Sequence, residues 1–220
     1  MARHGESKHF KRSVVTDLAV IPRKKYKYYI RQYPGKHDVK HSMPLRGFIR
    51  DIMKIANNSK EARYLIKGGF VKVDGKTITE EKYSVGFNDV IQIKNSYFIA
   101  GFGSNGKISA SESSEPVNSK HLKSMSKRYI KGGKTILSLH DGTNILDPAG
   151  KVQAGDTIVM SLKDRKIEKI IPFEQGREVM IFSGKNAGKK GKISKIDGDT
   201  AIIDVDGTGI SAKSDACIPL

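Results

Sequence analysis

"NNSKEARYLIKGGFVKVDGK", Asn57 to Lys76, decides the fold, because a helix, its stop and a hairpin follow one another within it. Asn58 is placed to cap the helix, with Glu61 three residues later, and Gly68-Gly69 ends it. Ala62, Leu65 and Ile66 recur at helical spacing and should face a core, which leaves Lys60, Arg63 and Lys67 outside. After the glycines the pattern changes. Phe70, Val71 and Val73 precede Asp74-Gly75, a pair that favours the left-handed backbone of a two-residue hairpin turn. Lys72 and Lys76 flank that turn.

Upstream, "MPLRGFIRDIMKIA" predicts a first helix over Met43 to Ala56, with Pro44 in its first turn. Leu45, Phe48, Ile49, Ile52, Ile55 and Ala56 fall on its apolar side, and Arg46, Arg50 and Lys54 recur every four residues opposite. Downstream, "VGFNDVIQI" and "SYFIAGF" read as strands separated by Lys94-Asn95. Two short helices thus each present a basic stripe ahead of a small sheet.

The charge is uneven in the same sense. The chain of 220 residues has 40 Lys and Arg against 23 Asp and Glu, a net charge of +17. From Met1 to Lys76 there are 19 basic and six acidic residues, so +13 of that excess lies in the first third. An excess of this size points to an anionic partner, nucleic acid or an acidic membrane surface. From Met1 to Ser42 periodicity is weak, and a basic arm that is unstructured on its own is expected there. Arg3, Lys8, Lys11 and Arg12 are its candidate phosphate contacts, and Tyr26, Tyr28, Tyr29 and Tyr33 have the chemistry to stack on bases. His37 and His41 are one helical turn apart, but no third ligand accompanies them, so no metal is expected. Cys217 is the single cysteine, which excludes an internal disulfide and a thiolate zinc site. No apolar run approaches the ~18–20 residues that span a bilayer, and "MARHGESKHFKR" lacks a signal-peptide core. A soluble, intracellular protein is expected.

Beyond Asn95, "KISASESSEPVNS" reads as a polar loop, followed by the basic "KHLKSMSKRYIKGGK". "KTILSLHDGTNI" and "DTIVMSLKDRKIEKIIPF" alternate as half-buried strands do. "VGFNDVIQI" and "QAGDTIVMSL" share a Gly, an Asp and alternating apolar residues, a repeated turn-then-strand device. "EVMIFS", "KKGKISKI" and "TAIIDVD", the last two joined by Asp197-Gly198-Asp199, predict a small five-stranded barrel.

Two basic helices, a double-Gly stop, "VKVDGK" and "SVGFNDVIQI" resemble the small RNA-binding module named after the fourth protein of the small ribosomal subunit. That module also occurs in some pseudouridine synthases and tyrosyl-tRNA synthetases. With "KHFKR", "GKHDVKHSMPLRGFIRD", "VQAGDTIVMSL" and "SGKNAGKKGKI", the chain resembles the archaeal and eukaryotic ribosomal protein family called S-four-e from about Ala2 to Asp206. The glycine-lysine run near the end is similar to the KOW motif of ribosomal proteins and elongation factors. The resemblance implies an α+β, mostly β fold: a basic arm (1–42), the RNA-binding module (43–94), a β-rich central domain (95–172) and an SH3-like KOW barrel (173–220). It implies a structural constituent of the small ribosomal subunit, a monomer within the cytoplasmic ribosome that touches ribosomal RNA and neighbouring subunit proteins, no membrane and no cofactor. Eukaryotic relatives usually continue past the barrel, so the stop at Leu220 points to an archaeal-type member.

Enzymatic readings fit less well. Between Gly184 and Gly188 a Walker loop is one residue short, and Lys190 stands where its hydroxyl should be. "GGKT", Gly132 to Thr135, has Arg128 in place of the first glycine. "GFGSNGK", Gly101 to Lys107, has no helix after it and reads as a surface turn rather than a dinucleotide site. His140-Asp141 has no nucleophile grouped with it, so no catalytic residue is expected. An elongation or chaperone factor and an RNA-modifying enzyme are the two other readings. For the glycine-lysine loop, phosphate contact through Lys185, Lys189, Lys190 and Lys192 is expected, with Gly188 giving a close backbone approach or a positive φ.

Overall fold

In a computed structural model, which describes residues 9–15, 21, 27–103, 105–131, 133–147, 150–205 and 207–220, the described part of the arm is held by strand pairing. Its strand β1 (His9–Lys11) lies antiparallel to β2 (Tyr28–Ile30). Strand β3 (Ser42–Pro44) then leads into α1 (Leu45–Gly47), which continues as a wider π-type segment over Phe48–Ile52. The predicted first helix is therefore shorter at both ends. Met43 and Pro44 are strand, and Lys54 turns left-handed at φ +55°, which releases the chain toward the next cap and leaves Ile55 exposed.

Helix α2 (Ser59–Lys67) forms as its residues predict, with Ala62 and Ile66 buried and Gly69 at φ +74° just past its end. Strands β4 (Val71–Val73), β5 (Lys76–Thr77), β6 (Ser84–Gly86), β7 (Val90–Ile93), β8 (Ser96–Phe102) and β9 (Ile108–Ser113) follow. Asp74 and Gly75 both take positive φ, +49° and +78°, as a tight hairpin turn between β4 and β5 requires. An antiparallel sheet runs β5-β4-β7-β8-β9, while β6 leaves it to pair with β3. "ISASES" is thus strand β9, not loop. Leu45, Phe48, Ile49, Ile66, Val71 and Ile91 share one core beneath this sheet.

In the central part β10 (Ser119–Tyr129), β11 (Thr135–Leu139), β12 (Asn144–Asp147), β13 (Thr157–Ser161) and β14 (Ile167–Ile171) form a sheet ordered β12-β11-β10-β13-β14. The long β10 serves both halves. Its first five residues pair with β13, and beyond an irregularity between Ser124 and Ser126 it pairs with β11. In the last part β15 (Glu178–Ile181), β16 (Lys190–Asp197), β17 (Thr200–Val205), β18 (Thr208–Lys213) and β19 (Cys217–Pro219) run in the order β18-β17-β16-β15-β19. Val179, Ile181, Ile193, Ile203, Ile210 and Cys217 bring all five strands to one cluster, as a small barrel requires. The fold is α+β with β predominant. No helix among the described residues is long and apolar enough to cross a membrane.

The repeated turn-then-strand device has a physical basis in two aspartates. Asp89 Oδ2 accepts from the Gly86 amide at 2.9 Å, and Asp156 Oδ2 accepts from the Gln153 amide, also at 2.9 Å. The residue before each, Asn88 at φ +64° and Gly155 at φ +98°, makes the reversal. Asp89 goes further, because it is fully buried and joins separate parts of the chain. His37 Nε2 lies 2.8 Å from Oδ2 and Lys36 Nζ 2.9 Å from Oδ1, both from the arm. Lys120 Nζ, from the start of strand β10, bonds the same Oδ1 and reaches Asp74 at 3.0 Å and Asp141 at 3.5 Å. Lys36 also pairs with Asp74 and Asp141. Burial alone would lower the Lys36 pKa, but Asp89, Asp74 and Asp141 outweigh it and raise it. Burial likewise opposes the charge on Asp89, and Lys120, His37 and Lys36 overcome it, holding its carboxyl well below the usual range.

The expected free arm is corrected for its described residues. Tyr29 is buried, with its hydroxyl donating to Asp51 at 3.1 Å, so it is not a base-stacking residue. Tyr28 and Tyr33 remain exposed, each with a lysine near its ring, Lys27 at 5.7 Å and Lys82 at 4.7 Å. Tyr26 lies outside the described residues.

Asp89→Asn keeps the shape but removes the charge that two buried ammonium groups share. Breaking a buried pair costs about 3–5 kcal/mol, so a lower midpoint in urea is expected. A midpoint within 0.5 M urea of the parent's would contradict the role given to Asp89. The pH dependence has a definite sign. Asp89 and Asp141 have depressed pKa values, Asp141 at about 2, so their contribution is present above the unfolded carboxyl value near pH 4 and lost as pH falls through the folded values. Acid unfolding monitored by circular dichroism checks this: the parent should lose stability steeply below pH 4, and Asp89→Asn less steeply.

Candidate nucleic-acid interface

The cap of α2 fixes the direction of its basic side. Asn58 Oδ1 accepts from the amides of Lys60 and Glu61, both at 2.9 Å, and Glu61 returns to the Asn57 amide at 2.8 Å, one residue earlier than the expected reciprocal pair. With Ala62 and Ile66 sealed inward, Lys60, Arg63 and Lys67 stand in solvent. Lys72 points out of β4 between buried Val71 and Val73, and Lys76 is exposed past the turn. Five cations of the sequence reading are thus on accessible surface of one helix and its hairpin.

The first helix contributes differently. Arg46 Nη1 donates to Glu81 at 2.8 Å, and Arg63 Nε donates to the same carboxylate at 3.0 Å, so Glu81 ties the two helices. Partial burial would raise the Glu81 pKa, but hydrogen bonds and charge from Arg63 and Arg46 lower it. Arg50 donates to Asp51 through Nε and Nη2 at 2.8 and 2.7 Å and to Ser59 Oγ at 2.6 Å, and lies 5.9 Å from the Tyr29 ring centroid. Its side chain is 12% exposed, against 50% for Arg63. Arg46, Arg50 and Lys54 are therefore not one free stripe: two are held in ion pairs and Lys54 sits beyond the helix.

At the other end of the chain, the Gly188 amide donates to Ile181 O at 2.7 Å and closes the loop between β15 and β16. Gly184 and Gly188 both have φ +89°. A Cβ on Gly188 would meet the Gly103 carbonyl oxygen at 2.5 Å, whereas one on Gly184 would meet nothing within 4 Å. The close approach expected of Gly188 is real, and its target is the β8–β9 turn of this chain. "GFGSNGK" is accordingly the seat of this loop, more than a surface turn. Lys185, Lys189, Lys190 and Lys192 are exposed, with Lys190 and Lys192 on the outward side of β16.

Of the arm's candidates, Lys11 is exposed and Arg12 Nη2 donates to Ile21 O at 3.0 Å; Arg3 and Lys8 lie outside the described residues. His37 is taken up by Asp89, and His41 Nε2 sits 2.8 Å from Ser183 Oγ. Among the described residues no group of His, Cys, Asp or Glu is placed to hold a metal. Asp141 belongs to the ionic junction, and burial, with Lys120 nearby, pulls the His140 pKa down to about 3, so its ring packs neutral against Phe87 and Phe182.

Comparison with known proteins gives three family matches along the chain. Residues 51–91 match the S4 domain, 102–167 the ribosomal family S4e and 175–206 the KOW motif. Small ribosomal subunit protein eS4 of Methanocaldococcus jannaschii is 37% identical over 207 residues, covering 90% of this chain and 84% of that protein. The eS4 protein of Thermoplasma volcanium is 36% identical, over 85% of this chain and 80% of that one. The chain belongs to the ribosomal S4e family. The crystal structure of 30S ribosomal protein S4e from Thermoplasma acidophilum superposes with a TM-score of 0.72 at 30% identity, covering 82% of this chain and 95% of that one. S4e proteins are structural constituents of the small ribosomal subunit, not enzymes, and this chain is one of them.

Sequence reasoning missed what Glu81, Asp89 and Gly103 do for this S4e chain. Each acts on a residue distant in sequence, and no local pattern marks the partner.

Two contrasts test these assignments. Gly184→Ala should cost about 1–2 kcal/mol for its positive φ, and Gly188→Ala clearly more, because its methyl also meets Gly103; equal losses in thermal melts would argue against the packed seat. Arg50→Glu should destabilise by about 3 kcal/mol or more, since it places a second carboxylate beside Asp51. Arg63→Glu also sets a carboxylate beside Glu81, but at a half-exposed site, so it should cost less, about 1 kcal/mol. Reversed ranking in urea unfolding would overturn the structural role of Arg50.

Proposed function

We propose that the chain binds small-subunit ribosomal RNA through two separate cationic surfaces, and acts as a monomer beside neighbouring subunit proteins. The first surface is the exposed side of α2 with the β4–β5 hairpin: Lys60, Arg63, Lys67, Lys72 and Lys76. The second is the loop carrying Lys185, Lys189, Lys190 and Lys192. The observation that carries this reading is the separation of charge from packing on α2, whose buried side is apolar and whose exposed side is cationic. Arg46 and Arg50 serve mainly to hold the first surface in shape through Glu81, Asp51 and Ser59. Lys11 and Lys54 are accessible and extend the positive field. The arm (1–42) braces the module (43–94), the barrel (173–220) meets that module directly through Phe182 on Phe87, the central domain (95–172) joins both through Lys120 and Lys123, and β8 and β9 carry the first sheet into the central range.

RNA phosphates attract such surfaces through displaced counterions, so binding should depend steeply on salt. Lys60→Ala with Lys67→Ala, and separately Lys189→Ala with Lys190→Ala, should leave the melting temperature unchanged. Each pair should lower the slope of log affinity against log salt by up to about two units on naked small-subunit RNA. Filter binding at several salt concentrations measures it. Slopes equal to the parent's in both variants would place the contacts elsewhere.

A further inference from the structure

From Pro116 to His140 the chain contains no Asp or Glu. Two lysines of this stretch are spent inside the protein: Lys120 on the Asp89 junction, and Lys123, whose ammonium bonds Cys217 O at 2.6 Å and also Ser214 O. The remainder collects at the end of the β10–β11 hairpin. Arg128, Lys131 and Lys134 are exposed there, and none of their side chains has an ion-pair partner among the described residues. Between them stands Tyr129, 78% exposed, with Ile130 exposed beside it.

The tip is built rather than loose. Ile130 N donates to Lys134 O at 2.9 Å and closes the turn, in which Gly133 takes φ +70°. Lys127 Nζ is anchored on Gly150 O at 2.7 Å and Val152 O at 2.9 Å, and lies 5.9 Å from the Tyr129 ring centroid. A fixed cation thus attends the ring, while most of the ring's surface is in water. The opposing strand offers no competing carboxylate: Asp147 of β12, opposite Thr135, is buried with its oxygens on the Gly150 and Val152 amides.

We propose that this tip is a third RNA contact, in which Tyr129 stacks on an unpaired base while Arg128, Lys131 and Lys134 meet the flanking phosphates. The inference rests on the RNA-binding role above and adds the kind of site read, a single-stranded or looped-out nucleotide. An open aromatic ring can stack only on a base freed from a helix, and the surrounding charge is all of the sign that phosphates require. A protein partner would have to present a wholly acidic surface to satisfy the same tip.

The chain has no tryptophan, so Tyr129→Trp supplies a single reporter at the tip. The full-length variant should bind naked small-subunit RNA as the parent does, with its emission quenched at saturation. Tyr129→Ala should melt at the parent's temperature and bind roughly 5- to 150-fold more weakly, the usual range for one stacked base. Tyr129→Phe should bind almost as the parent. Arg128→Ala with Lys131→Ala and Lys134→Ala should lower the salt slope by up to about three units. Unquenched emission together with undiminished affinity of Tyr129→Ala would overturn the proposal. So would quenching that appears only with neighbouring subunit proteins present and not with RNA alone, which would assign the tip to a protein. If the parent itself fails to bind the RNA, the broader reading falls, and that result is distinct from a parent that binds and a tip that does not respond.

Discussion

A single buried carboxylate, Asp89, is the constraint on which the arrangement depends. It could not remain ionised inside the protein without its four partners, and they come from three places in the chain: the Gly86 amide of its own turn, Lys36 and His37 of the arm, and Lys120 of the central sheet. Each partner is itself buried or nearly so, and the carboxylate would be left uncompensated if they moved away. The segments therefore meet at a single buried charge. Apolar contact alone would permit sliding between them, whereas this junction specifies one register.

A second junction shares that logic with different chemistry. Phe87 stacks between Phe102 and Phe182 at 5.4 and 5.6 Å, which brings β8 and the loop after β15 to the same turn that carries Asp89. Lys123 crosses from β10 to the carbonyls of Ser214 and Cys217, and burial lowers its pKa to about 8. A stretch that is basic in sequence thus divides its cations between interior joints and surface contacts. Net charge measures the attraction for an anionic partner, but it overstates the number of groups free to meet one.

This division explains which features were legible in the sequence. Asn58, the Ala62–Ile66 spacing, the double glycine and Asp74-Gly75 act on neighbours within a few residues, so a linear pattern carries them in full. The β-rich order of the later parts was readable from alternation, apart from β9, whose serines and glutamate resemble loop composition, and β18 and β19, which are short or polar. The exposed cations of α2, its hairpin and the glycine-lysine loop were found for the same reason: they interrupt apolar periodicity. What remained hidden were the long-range partners. Arg50 has the spacing of a surface stripe, yet the neighbouring Asp51 and the start of α2 enclose it. Tyr29 has the neighbours of a stacking residue, yet the first helix packs over it, and a side chain at Gly47 would collide with the Tyr29 hydroxyl.

The seat of Gly188 on Gly103 is an interlock made by missing atoms, backbone laid against backbone. Such a joint leaves no side chain to delete, so truncation to alanine, the ordinary tool for mapping a surface, adds bulk here instead of removing a contact. On the proposed reading, a variant at Gly188 loses RNA because Lys185, Lys189 and Lys190 have been displaced, although the close approach of the glycine is to Gly103 of its own chain. In a genetic screen it would then score as a binding residue while being a hinge pin, and on that reading only the lysines would report where a phosphate lies.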